Sequence, residues 1–328
     1  MLLGMGIFGL LLLLCFVGSI YHYAASLRDQ AKYPPQGRLI DIGGYRLHLQ
    51  CTGKGTPTVI LDSGLGAPGL GWSLVQKKVS QFATVCSYDR AGSGWSDASP
   101  FPRTGQQVAK ELHELLIRAN IPGPYILVGH SSGGINLRFF EAQYPQDVAG
   151  MVLVDAPSEN YFDQISGEYP EFSFEKMKRT SLLLKLGSRM GLSRILFATL
   201  HSKYKSRFQP SEWDMITALG SSTKNADTSC DELASFQDNL RELAQAKRSL
   251  GNKPLIVISP GQLGQPKGIS QERWDRFLKI MMTLQKDFLK LSTQSRHIIV
   301  ENADHMIPYD HPQVIVDAIH ELVALGLK

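Results

Sequence analysis

The sequence predicts an α/β fold: a mostly parallel sheet with helices on both faces, entered through an antiparallel hairpin and interrupted by a helical insertion. Three observations carry this. Short apolar runs alternate with segments of helical period, as parallel strands joined by crossover helices require. Met151-Val152-Leu153-Val154-Asp155 is apolar without alternation until its final acid, the pattern of a strand buried on both faces. Tyr125 to Val128 runs into Gly129-His130-Ser131-Ser132-Gly133-Gly134 and at once into an amphipathic segment, Ile135 to Tyr144: strand, sharp turn, helix.

The elements follow in order. Leu2 to Tyr21 carries no charge, and Leu10 to Leu14 are five consecutive leucines. About 20 apolar residues suffice to cross a ~30 Å hydrocarbon core, so residues 1–25 read as a transmembrane anchor or a signal segment. The length of the run and the lack of Lys or Arg ahead of it favour a retained anchor, whereas Ala24-Ala25-Ser26 offers a cleavage site. Arg28, Lys32 and Arg38, opposed only by Asp29, would place the bulk of the chain in the cytoplasm. Residues 26–37, with Pro34-Pro35-Gln36-Gly37, read as a linker.

Arg38–Ile42 and Tyr45–Cys51 alternate about Gly43-Gly44, a hairpin with a primed turn. Thr58–Asp62 is a strand leading into Ser63-Gly64-Leu65-Gly66, Trp72–Phe82 a helix, and Thr84–Tyr88 a strand. Val108, Leu112, Leu115 and Leu116 recur at helical spacing ahead of the Tyr125 strand. From Pro157 to about residue 252 only helical periods appear, at Leu182–Leu186, Ile195–Leu200 and Phe236–Leu243. A strand at Pro254–Ser259, a helix from Ser270 to about Ser292, a strand at His297–Val300 and a helix at Pro312–Leu325 complete the pattern. The core is thus residues 38–156 and 253–328, with 157–252 inserted between two of its strands.

The 328 residues are 43% hydrophobic and 20% charged, a globular composition with room for a large core. A net charge of +4, without a basic motif, does not point to nucleic acid. Cys15, Cys51, Cys86 and Cys230 are too few and too dispersed for a disulfide scaffold or a metal cluster, so no metal site is expected.

Four motifs in this order resemble the α/β-hydrolase family over roughly residues 38–328. Ser63-Gly64-Leu65-Gly66 stands where the family usually has a His-Gly oxyanion loop. Asp89-Arg90-Ala91-Gly92-Ser93-Gly94-Trp95-Ser96-Asp97 is similar to its Asp-Arg-x-Gly-x-Gly-x-Ser turn. Gly129 to Gly134 is similar to its nucleophile elbow, and Ala303-Asp304-His305 to its histidine loop. The resemblance implies an eight-stranded sheet, a helical lid at 157–252, and hydrolysis without a cofactor. It also makes the second and fourth strands neighbours, which would bring Cys51 to Cys86 as two buried thiols or as a disulfide. A disulfide would imply an oxidising, extracytoplasmic site, against the positive flank, which leaves the side of the membrane open.

The chemistry of the site follows from these positions. A serine hydroxyl is a poor nucleophile until a base takes its proton. Ser131 is the candidate nucleophile and His305, on a loop beyond a strand end, the candidate base. His130 should pack beneath the turn, and His311, before Pro312, should be a surface or capping residue. The family's commonest acid position falls on Pro260 to Gly268, which contains no acid. Asp155 is the expected replacement, with Asp275 or Glu272 as alternatives if the helix after the loop starts late. The backbone N–H groups of Ser132 and Leu65 are the expected oxyanion donors.

A serine at this position, rather than the aspartate of haloalkane dehalogenases and epoxide hydrolases, points to acyl substrates: carboxylic esters first. A proline-iminopeptidase-like aminopeptidase is the alternative, with Glu159, Glu168 or Glu171 holding the substrate amine. A low-turnover ligand-binding receptor on the same fold is another. From Lys176 to Arg207 there are nine Lys/Arg and no Asp or Glu, interleaved with Leu182-Leu183-Leu184 and Ile195-Leu196-Phe197. Such a segment would rest a lid on anionic lipid headgroups or form an ordinary solvated face.

Overall fold

The computed structural model describes residues 2–200, 202–246 and 249–326. Residue 1 of the expected N-terminal span, 201, 247 and 248 of the insertion, and 327 and 328 of the core lie outside the described residues. Eight strands form one sheet: β1 (Arg38–Asp41), β2 (Arg46–Thr52), β3 (Thr58–Asp62), β4 (Val85–Tyr88), β5 (Tyr125–His130), β6 (Val148–Val154), β7 (Leu255–Pro260) and β8 (Ser295–Val300). Their order across the sheet is β1-β2-β4-β3-β5-β6-β7-β8. β2 is antiparallel to both its neighbours, and every pairing from β4 to β8 is parallel. Gly43 and Gly44 supply the positive φ angles, 118° and 99°, of the β1–β2 turn.

Side chains alternate across the sheet and define two core layers. Val59, Leu61, Val128 and Val152 face α2 (Ser73–Val79) and the last helix, where Val75, Val79, Ile315 and Ile319 are buried. Ile60, Leu127, Met151 and Leu153 face α3 (Gly105–Arg118) and α4 (Ser132–Gln143), against Leu112, Leu116, Leu137 and Phe140. Because β3, β5, β6 and β7 are covered on both sides, they are continuous apolar runs. Thr104 caps α3 by accepting the Gln107 N–H, which marks where that helix begins.

Among the described residues six α-helices lie between β6 and β7: α5 (Tyr161–Ile165), α6 (Phe174–Ser188), α7 (Leu192–Leu200), α8 (Pro210–Gly220), α9 (Thr223–Ala234) and α10 (Phe236–Ala246). After β7, α11 (Gln271–Asp287) is shorter than expected, because a 3-10 turn, Phe288–Leu291, replaces its last part. The short α12 (Ile307–Asp310) and α13 (Pro312–Ala324) follow β8.

The N-terminal helix, α1, runs from Leu2 to Lys32, so most of the 26–37 stretch read as a linker is helical. The reason is a docking contact invisible in local sequence. Arg194 at the start of α7 reaches Asp29 Oδ2 (2.6 Å), Ser26 Oγ (3.1 Å) and His22 Nδ1 (3.2 Å). His22 Nε2 lies 2.8 Å from Thr223 Oγ1 at the start of α9. The polar last turns of α1 are thus held against the insertion, and only residues 33–37 remain as a connection.

Candidate active site

Ser131 separates β5 from α4 with φ 52° and ψ −125°, a conformation costly for a residue with a Cβ. The surrounding glycines make the turn sterically possible. A Cβ on Gly129 would lie 2.6 Å from the Gly134 nitrogen, and one on Gly133 would lie 2.4 Å from the Asp62 carbonyl oxygen. The Ser131 N–H is fixed on the Val154 carbonyl at 3.0 Å. Asp155, one residue past β6, also has a positive φ of 43° and donates its N–H to the Ile258 carbonyl at 2.8 Å. Backbone strain of this kind gathers where a fold over-determines a side chain's direction.

Asp155 Oδ2 lies 2.6 Å from His305 Nδ1. The carboxylate is 7% exposed while the His305 side chain keeps 47% of its surface open. Burial among neighbouring atoms disfavours the imidazolium. The Asp155 hydrogen bond and charge, with help from Asp304, outweigh it and raise His305 above the ordinary imidazole value. Ser131 and His305 line the same two cavities, of about 430 and 650 Å³. Among the described residues the Ser131 hydroxyl makes no hydrogen bond in this structure, and catalytic contacts of this type often tighten only with substrate present.

His130 packs beneath the turn as expected, edge-on to Trp72, with Nε2 2.8 Å from the His305 carbonyl oxygen. Burial, then the neighbouring His305, lowers its pKa to about 3, so the ring is neutral and donates Nε2–H to that carbonyl. His130 therefore holds the loop that carries His305. His311 Nε2 contacts the Asn302 carbonyl at 3.2 Å and makes no side-chain cap of α13. Asp275 is exposed on α11 and bonded by Gln271, and Glu272 pairs with Arg276, so neither reaches His305.

Leu65 lines the 430 Å³ cavity beside Gly64, whose added Cβ would come within 3.2 Å of the Ser131 Cβ. The Gly64 carbonyl accepts from Arg90, and in a planar trans peptide the Leu65 N–H points the opposite way. That N–H enters no hydrogen bond among the described residues. Ser132 is the first residue of α4, where the N–H has no intrahelical acceptor.

Sequence reasoning placed Arg90 in a motif without giving it a task. Its guanidinium is buried and donates to Asp62 Oδ1 (2.7 Å), the Ser63 carbonyl (2.7 Å) and the Gly64 carbonyl (3.0 Å). It also donates to Glu232 on α9 (2.8 and 3.0 Å). Tyr204 and Lys203 of the insertion likewise contact Asp304, next to His305. The Asp-Arg pair of the motif was the available signal for Arg90, but its partner lies 142 residues away.

The family model described as "Alpha/beta hydrolase family" matches residues 59–318. The chain belongs to the alpha/beta hydrolase family. Its fold agrees: an eight-stranded, mostly parallel sheet with helices on both faces. Among sequence relatives this alpha/beta hydrolase is 26% identical to protein YqjL of Bacillus subtilis over 284 residues, covering 86% of this chain and 89% of that protein. Among solved structures it is similar to a thermophilic esterase from Thermogutta terrifontis (18% identity, TM-score 0.63, 89% of this chain and 100% of that one). It is also similar to the epoxide hydrolase CorEH (19% identity, TM-score 0.60, 88% and 97%). At these identities the structural likeness speaks to the fold.

Glu159 is engaged by Arg138 through both carboxylate oxygens, Glu168 by Arg276, and Glu171 by Arg273. None of the three lines the cavities at Ser131, so none offers a carboxylate to a substrate amine there.

Proposed function

We propose that this alpha/beta hydrolase is a membrane-anchored serine esterase acting through Ser131, His305 and Asp155. The observation that carries the reading is the 2.6 Å contact between His305 Nδ1 and buried Asp155, beside a strained Ser131 opening on the same cavities. With Nδ1–H bound by Asp155, His305 Nε2 is the tautomer's basic nitrogen, and it serves Ser131 as the base. It takes the Ser131 proton as Oγ attacks the acyl carbonyl. The tetrahedral oxyanion is held by the N–H groups of Leu65 and Ser132, each worth roughly 10²–10³ in rate in comparable sites. His305 then protonates the departing alcohol, and a water molecule, deprotonated by the same nitrogen, releases the acid from Ser131.

Serine supports acyl substrates over epoxides, whose opening in this fold calls for a carboxylate nucleophile. The pairing of Glu159, Glu168 and Glu171 with arginines disfavours the aminopeptidase reading. Phe8–Lys32 is long and apolar enough to cross a membrane by length and composition, which supports the anchor. Fluorophosphonate labelling tests the assignment. Wild type should label, Ser131→Ala should not, and His305→Ala should label far more slowly; an unlabelled wild type or a fully labelled Ser131→Ala overturns it.

A further inference from the structure

Helices α6 and α7 have apolar side chains on two opposite sides. Inward, Leu184, Leu196 and Phe197 line the 430 Å³ cavity at Ser131. Outward, Leu182, Leu183, Leu186, Leu192 and Ile195 stand in the open, Leu183 at 68% and Ile195 at 64% exposure. Scattered exposed apolar residues need no explanation, but four leucines and an isoleucine on one helical hairpin form a patch of the kind that contacts another apolar phase.

The position of that patch names the phase. The turn between α6 and α7 abuts α1: a Cβ on Gly18 would lie 2.6 Å from the Met190 carbonyl, and one on Gly191 would meet His22 and Tyr21. Gly18 to His22 is where the apolar, outward-facing stretch of α1 gives way to its polar turns. If α1 spans a bilayer, the hairpin is held at the level where the span leaves the hydrocarbon. Charge does not offer a competing account. Among the described residues, Lys185, Arg189, Arg194, Lys203 and Arg207 of the basic run each pair with an aspartate from outside it: Asp231, Asp227, Asp29, Asp304 and Asp310. Lys176, Lys178, Arg179 and Lys205 stay exposed at the start of α6 and beyond α7, but from residue 182 to 195 each cation of the run is paired, and what faces outward there is apolar.

We infer that the α6–α7 hairpin inserts into the membrane leaflet next to α1 and forms the wall through which a single-chain acyl lipid passes from that leaflet to Ser131. This rests on the anchored-esterase reading. Insertion is driven by apolar burial, so it is indifferent to anionic lipid.

The test uses the full-length protein reconstituted in vesicles. In Leu183→Trp, emission should be quenched by brominated acyl chains to the same extent in zwitterionic and anionic vesicles. The triple variant Leu183→Ser, Leu186→Ser, Ile195→Ser should retain kcat/KM on a short water-soluble ester within about twofold. It should lose at least tenfold on a monoacyl ester embedded in vesicles. An unquenched Leu183→Trp overturns the inserted hairpin, as does quenching confined to anionic vesicles. Equal rates of the triple variant and wild type on the embedded ester, or equal losses on both esters, overturn the portal. A wild type inert on the soluble ester overturns the esterase reading and the portal with it. The quenching readout needs no turnover and still decides the hairpin.

Discussion

Arg90 and Glu232 form a buried two-point ion pair, Nε to Oε1 at 2.8 Å and Nη2 to Oε2 at 3.0 Å, that joins the turn after β4 to helix α9 of the insertion. The same guanidinium holds the carbonyls of Ser63 and Gly64, so the loop bearing the Leu65 N–H and the insertion above it share one anchor. Burial disfavours the cation, but Glu232 and Asp62 more than compensate and hold its pKa well above the usual guanidinium value. The geometry couples where the insertion sits to where the Leu65 N–H, the proposed oxyanion donor, points.

Removing the cation should therefore cost both stability and rate. Arg90→Met leaves Asp62 and Glu232 buried without their counter-charge, a loss of about 3–5 kcal/mol. Glu232→Gln keeps the shape and one hydrogen bond, so its stability loss should be smaller, about 1–3 kcal/mol. Denaturant unfolding checks the order. On a soluble ester Glu232→Gln should lower kcat more than it raises KM, because the displaced donor serves the transition state.

The proton inventory gives a pH profile. In the proposed mechanism His305 must be neutral to act as base, and its pKa is raised above 6.5, so kcat/KM should fall as pH drops through a midpoint above that value. Asp155→Asn removes the hydrogen bond and the charge that favour the imidazolium. The midpoint should then move to lower pH, and the rate should fall by roughly 10³–10⁴-fold, as for loss of the orienting acid elsewhere. His130, neutral down to about pH 3, should add no second limb. A profile unchanged in Asp155→Asn would separate Asp155 from the base.

Much of the fold was legible because strands buried on both faces must be written in Val, Ile and Leu, as in β5 and β6. The sharp turn at Ser131 was legible because it is flanked by glycines, and only glycine fits at 129 and 133. The place of Asp155 at the end of β6 was legible as an acid closing an apolar run. What local sequence could not carry were pairings made across the chain. Asp29 meets Arg194 over 165 residues, which continues α1 through Lys32 where a linker was expected. Asp227, Asp231 and Asp310 pair with Arg189, Lys185 and Arg207 of a run that looks wholly unopposed when read in order. Burial decides such pairings, and burial is not a property of a window.

The glycine at 133 makes a sharper stability prediction. Its Cβ would lie 2.4 Å from the Asp62 oxygen and 2.8 Å from the Ser63 oxygen, both backbone atoms that cannot swing aside. Gly133→Ala should force the turn at Ser131 away from the Ser63–Gly66 loop, costing about 1–3 kcal/mol as other overpacked sites do, and with it most of the proposed esterase activity. Gly167→Ala, with nothing within 4 Å of its added Cβ, is the matched control and should unfold like wild type.

Cys51 and Cys86 face each other in register across antiparallel β2 and β4 and are joined as a disulfide, while Cys15 and Cys230 are free. Thiol titration of the denatured, unreduced protein should therefore find two thiols, and four after reduction. The bridge closes a loop of 35 residues in the unfolded chain, so the double serine variant should lose roughly 3–4 kcal/mol. The count also bears on topology. Such bridges persist in oxidising compartments, whereas Arg28, Lys32 and Arg38 by themselves favour a cytoplasmic position for the bulk. Asp29, the acid among those charges, is taken up by Arg194, so the basic flank of α1 is part of a docked interface as well as a topological signal. Two alkylated cysteines in protein isolated with an alkylating agent present would place the hydrolase domain outside the cytoplasm; four would overturn the bridge and return the decision to the positive flank.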